Sequence, residues 1–204
     1  MARYTGPRSK VSRRFSMPIF GPSKSLDRKA YPPGQHGQRG RRKLSEYAMA
    51  LAEKQKLRFI YGLLERQFRR YFRDAISKRG VTGDILMQLL ETRLDNVVFR
   101  LGLATSRRMA RQMVNHGHIR VDGKRVTIAS YSVREGQVIE VIDKARARQM
   151  ATKNLEAAKL SPVPDWLIVD AAGFKGTVAR KPTRDDMQPV VNEQLVVELY
   201  SRRV

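Results

Sequence analysis

Arginine and lysine dominate residues 105–125, the stretch whose side chains are best suited to recognition chemistry. It holds six basic residues and a single acid, Asp122. The basic residues are Arg107, Arg108, Arg111, Arg120, Lys124 and Arg125. Guanidinium and ammonium groups donate hydrogen bonds to phosphate oxygens. The stretch therefore predicts a surface for a polyanion, and its shape favours structured RNA.

Local patterns predict a short helix followed by a β-hairpin as the elements that position these cations. Ser106 can cap the helix by accepting a bond from a free backbone N–H, and Gly117 can end it in the left-handed conformation. Asp122-Gly123 is a two-residue hairpin turn signal. Arg107, Arg108 and Arg111 are expected largely opposite the apolar side of the helix. That apolar side contains Met109, Ala110, Met113 and Val114.

The charge balance of the whole chain points to the same class of partner. Its 204 residues carry 41 Lys and Arg against 19 Asp and Glu, a net charge of +22. Self-repulsion at this level favours a partner that neutralises it. Nucleic acid is the leading candidate and an anionic membrane surface is the second. No apolar run approaches the ~18 residues of a membrane-spanning helix.

Metal and thiol chemistry receive little support from the sequence. There is no cysteine, which excludes disulfides and thiolate ligands and fits a reducing cytosol. His116 and His118 flank a glycine, but two histidines without a third ligand are weak evidence for zinc. We expect Ser106, His116 and His118 to contact RNA instead, and no metal or cofactor.

Residues 1–43 are predicted to form an extended basic arm. They contain twelve basic residues and one acid, and their prolines and glycines disfavour long regular elements. We expect the arm to become ordered on RNA; the alternative is a solvated tail, which the interleaved aromatic residues disfavour. Tyr31 and His36 could stack on bases. The RNA-binding residues predicted in the arm are Arg3, Arg13, Arg14, Tyr31, Gly34, Gln35, His36, Gly37, Arg41, Arg42 and Lys43.

Two helices are predicted after the arm, at about 44–61 and 64–78. The first is expected to bury the side that holds Leu44, Tyr47 and Phe59. Tyr47 and Tyr71 are both predicted to be core residues. The basic residues assigned to RNA on these two helices are Lys54, Lys56, Arg58, Arg66, Arg69, Arg70 and Arg73.

The rest of the chain alternates helical and strand patterns. Thr92 followed by Asp95 predicts a capping box at the start of a helix. Strands are predicted around 133–142, 166–169 and 175–179, with Trp166 packed in the core. A charged helix is expected at 144–160, and Asn192 is expected to cap a closing helix. Together these patterns predict an α+β fold.

Several motifs, taken in order, resemble the S-four family of small-ribosomal-subunit proteins. The resemblance extends from Ala2 to Arg203. The motif positions are 31–38, 53–56, 61–62, 65–69, 93–100, 106–107, 110–111, 116–118 and 191–195.

The resemblance implies a primary rRNA-binding protein located in the ribosome in the cytoplasm. Such proteins bind the five-prime domain of small-subunit rRNA, nucleate assembly, adjoin the protein numbered five and affect decoding accuracy. The implied fold is a helical domain plus an α/β RNA-binding domain with a small antiparallel sheet, after the extended arm. The expected segments are 1–43 for the arm, 44–91 with 190–203 for the helical domain, and 92–182 for the α/β domain, whose RNA-binding module covers about 94–157.

The sequence departs from many family members at a zinc cluster near the N-terminus. Ser9 and Ser12 stand where the first two of four cysteines would be. Zinc is therefore not expected here, and packing or rRNA must order the arm.

No catalytic residues are expected. Asp185-Asp186 are adjacent in a predicted loop, and the common hydrolase and metalloprotease motifs are missing. An RNA-modifying enzyme or a ribosome-associated RNA chaperone with the same module is the alternative to a structural ribosomal protein.

Overall fold

The computed structural model describes residues 4–39, 43–158, 163–187 and 191–201. The chain divides into two compact units, one formed by Met1–Gly83 with Pro189–Val204 and the other by Asp84–Gln188. The described residues form helices and one antiparallel sheet. The α+β fold class predicted from the sequence is confirmed.

The first unit is helical among its described residues. Tyr200 packs against Phe68 and Phe72, with ring centroids 6.0 and 4.6 Å away. Asn192 caps the last helix, because its Oδ1 accepts a bond from Gln194 N at 3.1 Å, as the sequence predicted. The helices that lie wholly in this unit are α1 (Arg8–Phe15), α2 (Lys24–Arg28), α3 (Glu46–Ile60), α4 (Glu65–Ile76) and α10 (Glu193–Ser201).

Helix α3 buries a different side from the one predicted. Ala50, Lys54 and Leu57 are buried, whereas Leu44 and Tyr47 are 56% and 46% exposed. The prediction that Tyr47 is a core residue is therefore wrong. The side that holds Lys54 can be buried because a carboxylate from α4 pairs with its ammonium group. Local periodicity cannot reveal a partner on another element.

The described part of the N-terminal arm, residues 4–39, is folded rather than extended. Pro7 precedes α1, a position where proline does not interrupt a helix, and Ser16 ends α1 in the left-handed region. Tyr4, Phe15 and Phe20 then surround Phe59 of α3, with ring centroids 5.1 to 6.3 Å from it. The prolines and glycines thus delimit short elements, and aromatic packing orders them.

The second unit is built on a sheet whose neighbouring strands are all antiparallel, in the order β2-β1-β3-β5-β4. Its strands are β1 (Ile119–Val121), β2 (Lys124–Arg125), β3 (Val138–Val141), β4 (Leu167–Asp170) and β5 (Lys175–Val178). Its helices are α6 (Leu94–Arg100), α7 (Arg107–Asn115), α8 (Ala145–Ala158) and α9 (Arg184–Met187), and α5 (Thr82–Glu91) leads into it. Trp166 lies in the core at 1% exposure, as predicted.

The β1–β2 turn adopts the conformation that its sequence predicts. Asp122 and Gly123 both have positive φ, at 49° and 75°, which defines the turn type that matches the twist of two-residue hairpins. Asp122 also accepts a bond from Val138 N at 2.9 Å and one from Gln137 Nε2 at 2.7 Å. Its carboxylate therefore joins the hairpin to β3.

The capping box predicted at Thr92 is wrong. Arg93 is the N-cap residue of α6, without a side-chain cap, and Thr92 Oγ1 donates to the Gln88 carbonyl at 2.8 Å. Asp95 is not available as the second half of a capping box because its carboxylate accepts hydrogen bonds from two arginines.

Candidate nucleic-acid interface

Helix α7 positions the first group of predicted RNA-binding residues. Ser106 Oγ accepts a bond from Met109 N at 3.3 Å and caps the helix, as predicted. Gly117, at φ 68°, follows the end of the helix in the left-handed region. Ala110, Met113 and Val114 are buried against the core of the second unit. The remaining sides of the helix carry Arg107 and Arg108, both half-buried.

Arg111 is a structural residue rather than a surface cation. It is 8% exposed, and its Nε and Nη2 donate to Asp95 Oδ2 at 2.9 and 2.7 Å. Arg93 binds the same carboxylate at 3.0 and 2.8 Å and is 1% exposed. One buried acid thus holds two guanidinium groups, so α6 and α7 are joined by ion pairs. The prediction that Arg111 lies on the open side of α7 is wrong, because a partner on α6 buries it.

Arg107 is held in place by a second polar network beneath it. Its Nε donates to Asn96 Oδ1 at 2.7 Å, and its guanidinium lies 4.6 Å from the Phe99 ring centroid. Asn96 Nδ2 in turn donates to Glu91 Oε2 at 2.6 Å, and Arg100 pairs with Glu91 at 2.7 Å. These interactions fix the orientation of a half-buried cation, as recognition of an anion requires.

The β1–β2 hairpin presents further cations. Lys124 and Arg125 are exposed, and Arg120 is half-buried opposite Glu140 and Arg125 in the sheet register. Arg125 also donates to the His116 carbonyl at 3.4 Å. Its guanidinium occupies the space that a Cβ at Gly117 would need. Glycine at this position therefore lets the arginine pack over the end of α7.

His116 and His118 lie close to each other beside the hairpin. Their ring centroids are 6.0 Å apart, with His116 exposed and His118 half-buried. Burial lowers the pKa of His118 below its usual 6.5, and the nearby charges of His116, Lys144, Arg125 and Arg146 lower it further. The histidine therefore lies in a positive field that an RNA phosphate would offset.

In the first unit, α4 carries an exposed basic side. Its buried residues are Phe68, Phe72 and Ala75, which leaves the arginines toward solvent. The exposed arginines are Arg66, Arg69, Arg70 and Arg73.

The cations of α3 have protein partners instead. Lys54 is 4% exposed, and its Nζ lies 2.9 Å from both carboxylate oxygens of Glu65, so its assignment to RNA is wrong. Lys56 pairs with Glu53 at 3.1 Å, and Arg58 Nη2 donates to Gln55 at 2.6 Å.

Glu65 also accepts a bond from Tyr200, at 2.8 Å. Burial would raise the pKa of Glu65, but the bonds from Lys54 and Tyr200 outweigh it, and the pKa lies below its usual value. Burial and the charge of Glu65 raise the pKa of Tyr200 above its usual 10.0. These groups form a structural centre where α3, α4 and α10 meet.

The predicted arm residues fall into three groups. Arg14, Gly34, Gln35, His36 and Lys43 are exposed, whereas Arg13, Tyr31 and Gly37 are half-buried. Arg3, Arg41 and Arg42 lie outside the described residues.

Glu91, Asp95 and Asn96 organise the arginines of the second unit but are not among the sequence-predicted site residues. Asp95 was assigned to a helix cap instead. Asp95 and Asn96 lie within the apolar pattern of 94–101, and this is the signal that could have revealed them, because such groups are buried only with partners.

Within the described ranges, no group of three or more His, Asp or Glu residues could hold a metal ion. None of the helices in those ranges is both long enough and apolar enough to cross a bilayer.

The oriented arginines of the second unit and the exposed basic side of α4 in the first unit are features of an RNA-binding protein. Comparison with known proteins supports this class. Residues 3–91 match the ribosomal protein S4/S9 N-terminal domain, and residues 92–139 match the S4 domain.

Full-length relatives identify the family. The chain is 61% identical to small ribosomal subunit protein uS4 of Opitutus terrae over 202 residues, and 57% identical to that of Akkermansia muciniphila over 203. It is 51% identical to that of Thermus thermophilus over 209 residues. Each alignment covers 99% of this chain and all of the relative. The chain therefore belongs to the uS4 family of small ribosomal subunit proteins.

Membership confirms the resemblance seen in the sequence. The family consists of ribosomal proteins, so the chain is a ribosomal, rRNA-binding protein and not an enzyme. The RNA-modifying alternative has no support from these matches.

Proposed function

We propose that this protein is a primary binder of the five-prime domain of small-subunit rRNA and nucleates assembly of the small-subunit body. The proposal is supported by the chain's net charge of +22 and by the many described arginines and lysines that lie on helices and strands. Rigid cations can match a particular arrangement of phosphates, whereas a disordered basic tail would bind RNA with little selectivity.

The observation that carries the proposal is the way the arginines of the second unit are held. Arg107 is oriented by Asn96 and Phe99, and Arg111 and Arg93 share Asp95. The half-buried Arg107 and the exposed Lys124 and Arg125 present positive charge at the surface, where RNA phosphates can accept hydrogen bonds from them. We therefore propose residues 94–157 as the RNA-binding module, with α4 as a second basic surface for RNA.

Chemical footprinting tests this function. The small-subunit transcript is probed with and without the purified chain, and a transcript of equal length but unrelated sequence serves as control. Protection confined to a junction in the five-prime domain would support the proposal. Protection spread evenly over both transcripts would refute it.

We also propose that the first unit adjoins the small-subunit protein numbered five and through it affects decoding accuracy. In support, α3 exposes Tyr47 and Met49 at 46% and 41%. They line a cleft of about 490 Å³ whose other residues include Leu195 and Leu199 of α10. Exposed apolar clefts of this kind are typical of protein-binding surfaces.

Substitution of Met49 tests this second part. Met49→Glu should weaken binding of the protein numbered five to the assembled particle, because a carboxylate would have to be desolvated in the interface. Val81→Glu is the matched control, since Val81 is 65% exposed and does not line the cleft. Equal retention of the partner by both variants would refute the assignment.

A further inference from the structure

The Arg13 side chain of α1 joins that helix to the segment after α2. Its Nε lies 3.3 Å from the carbonyl oxygen of Lys29 and 3.2 Å from that of Tyr31. Its Nη2 donates to the Pro32 carbonyl at 3.2 Å. The guanidinium also lies 4.7 Å from the Tyr31 ring centroid. One side chain thus links α1 to the backbone of a segment sixteen to nineteen residues further along.

A compact turn begins where this link ends. Gly37 N donates to the Gly34 carbonyl at 3.2 Å. A Cβ at Gly37 would overlap the Pro32 carbonyl oxygen, so only glycine fits under the turn. Gly34 has φ 108° and open space around it. The tip of the turn, Gly34 to His36, is exposed.

We infer that Arg13 is a positioning residue for this tip, which contacts rRNA, and that the arm holds this conformation before RNA binds. The inference rests on the proposed rRNA-binding function. Arg13 directs its charge toward carbonyls and a ring, which replaces the role predicted from the sequence, a direct interaction with RNA. The exposed neighbour Arg14 has no comparable set of backbone hydrogen bonds among the described residues.

Pre-organisation explains why such a link would matter for binding. The apparent affinity of a protein falls in proportion to the fraction of molecules in the binding-competent conformation. Three hydrogen bonds from a planar guanidinium restrict the segment in a way that lysine or glutamine cannot reproduce. Removal of the link should therefore lower affinity, while the bound form of the protein still engages the same phosphates.

The first test needs no RNA. Amide hydrogen exchange is measured on the full chain for Arg13→Gln, Arg13→Lys and the control Arg14→Gln. Both Arg13 variants should speed exchange at Gly37 and Arg39, whose amides bond within the turn, by roughly tenfold or more. Arg14→Gln should leave these rates unchanged. Unchanged amide exchange in the turn of the Arg13 variants would overturn the inference. If Arg13→Gln does not fold, Arg13→Lys still allows the test.

The second test separates positioning from direct binding of phosphate. If Arg13→Gln reduces the competent fraction to about one tenth, affinity for the five-prime-domain transcript falls about tenfold. The log–log slope of affinity against salt should not change, because the variant engages the same phosphates as the wild type. A slope smaller by roughly 0.7–0.9 would mean that Arg13 itself binds a phosphate and would overturn the inference, as would unchanged affinity.

A double-mutant cycle completes the test. His36→Ala should weaken binding by itself, and its effect should add to that of Arg13→Gln, because one change lowers the intrinsic affinity of the bound tip and the other lowers the binding-competent fraction. Loss of the His36→Ala effect in the Arg13→Gln background would mean that the bound tip itself has changed and would contradict the inference. If the wild-type chain shows slow amide exchange in the turn but no preference for ribosomal RNA, both the proposed function and the RNA role of the turn are refuted. If the wild-type chain binds ribosomal RNA selectively but its turn amides exchange fast, only the positioning role of Arg13 is refuted.

Discussion

Arg111 shows how a residue predicted to bind RNA can instead be structural. Its guanidinium and that of Arg93 meet the same carboxylate in the core of the second unit. Removal of one partner from a buried ion pair is far more costly than replacement of the whole pair, because it leaves a charge unpaired. The stability of the unit therefore depends on Asp95 and its arginines.

Arg111→Ala should lower the free energy of unfolding by about 1.5–3 kcal/mol, the usual contribution of hydrogen bonds to a charged group, because Asp95 keeps its bonds to Arg93. Denaturant titration would measure it. The matched control is Gln112→Ala, an exposed position on the same helix, expected within about 0.5 kcal/mol of wild type. A variant at residue 111 as stable as the control would show that the ion pair does not stabilise the unit.

His118 gives the second unit a dependence on pH. Its pKa is lower in the folded state than the usual 6.5, so the unfolded chain binds a proton first as pH falls. Stability should therefore decrease as pH drops below about 6.5 and level off below the folded pKa. Burial lowers the pKa of His118 most, and the nearby charges of His116, Lys144, Arg125 and Arg146 lower it further.

Thermal melts between about pH 8 and about pH 5.5, a range that spans the usual histidine pKa, would detect this dependence. His118→Gln should make the decrease of stability toward low pH shallower, because the substituted group does not titrate. Gln112→Ala, at an exposed position of the same unit without a titratable side chain, is the control and should keep the wild-type profile. Identical pH profiles for wild type and His118→Gln would contradict the assignment.

At the scale of elements, the sequence correctly predicted the local features that depend on short-range interactions. The Ser106 cap, the left-handed Gly117 and the Asp122-Gly123 turn are all confirmed, since each depends on interactions within a few residues. The family motifs also predicted the membership that the comparisons establish.

The wrong predictions concern residues whose burial depends on a partner from another element. Arg111 of α7 can be buried because its guanidinium pairs with Asp95 of α6. Lys54 of α3 can be buried because its ammonium group pairs with Glu65 of α4. The described part of the N-terminal arm folds because its aromatic rings pack against Phe59 of α3. Periodicity and composition contain no information about such partners.

Helix α4 offers the clearest element-scale test of RNA binding. Replacement of Arg69 or Arg73 by Gln should reduce the salt slope of rRNA binding by roughly 0.7–0.9 for each phosphate that the variant no longer engages. Stability should stay within about 0.5 kcal/mol of wild type because both positions are exposed. Lys181→Gln, at an exposed cation outside both proposed RNA surfaces, should leave the slope unchanged. If an α4 variant keeps the wild-type slope, the substituted arginine does not contact an RNA phosphate.

At the scale of the whole molecule, the charge of +22 has two functions that the structure distinguishes. Some cations, such as Arg93, Arg111 and Lys54, are buried and hold elements together through ion pairs. Others, such as Arg70 and Lys124, are exposed. Within each unit, elements held together by the first group can present the second group in a fixed pattern, which is what selective binding to a folded RNA needs.

Equilibrium binding of the purified chain to two RNAs tests this claim most directly. One is the five-prime-domain transcript, the other an unrelated transcript of equal length, and both are titrated over the same salt range. With about six phosphates engaged, the log–log slope for the ribosomal RNA should be roughly −4 to −5. At physiological salt its affinity should be about a thousandfold higher than that of the control, the lower end for specific nucleic-acid complexes. Equal affinities for the two RNAs across the titration would contradict the account.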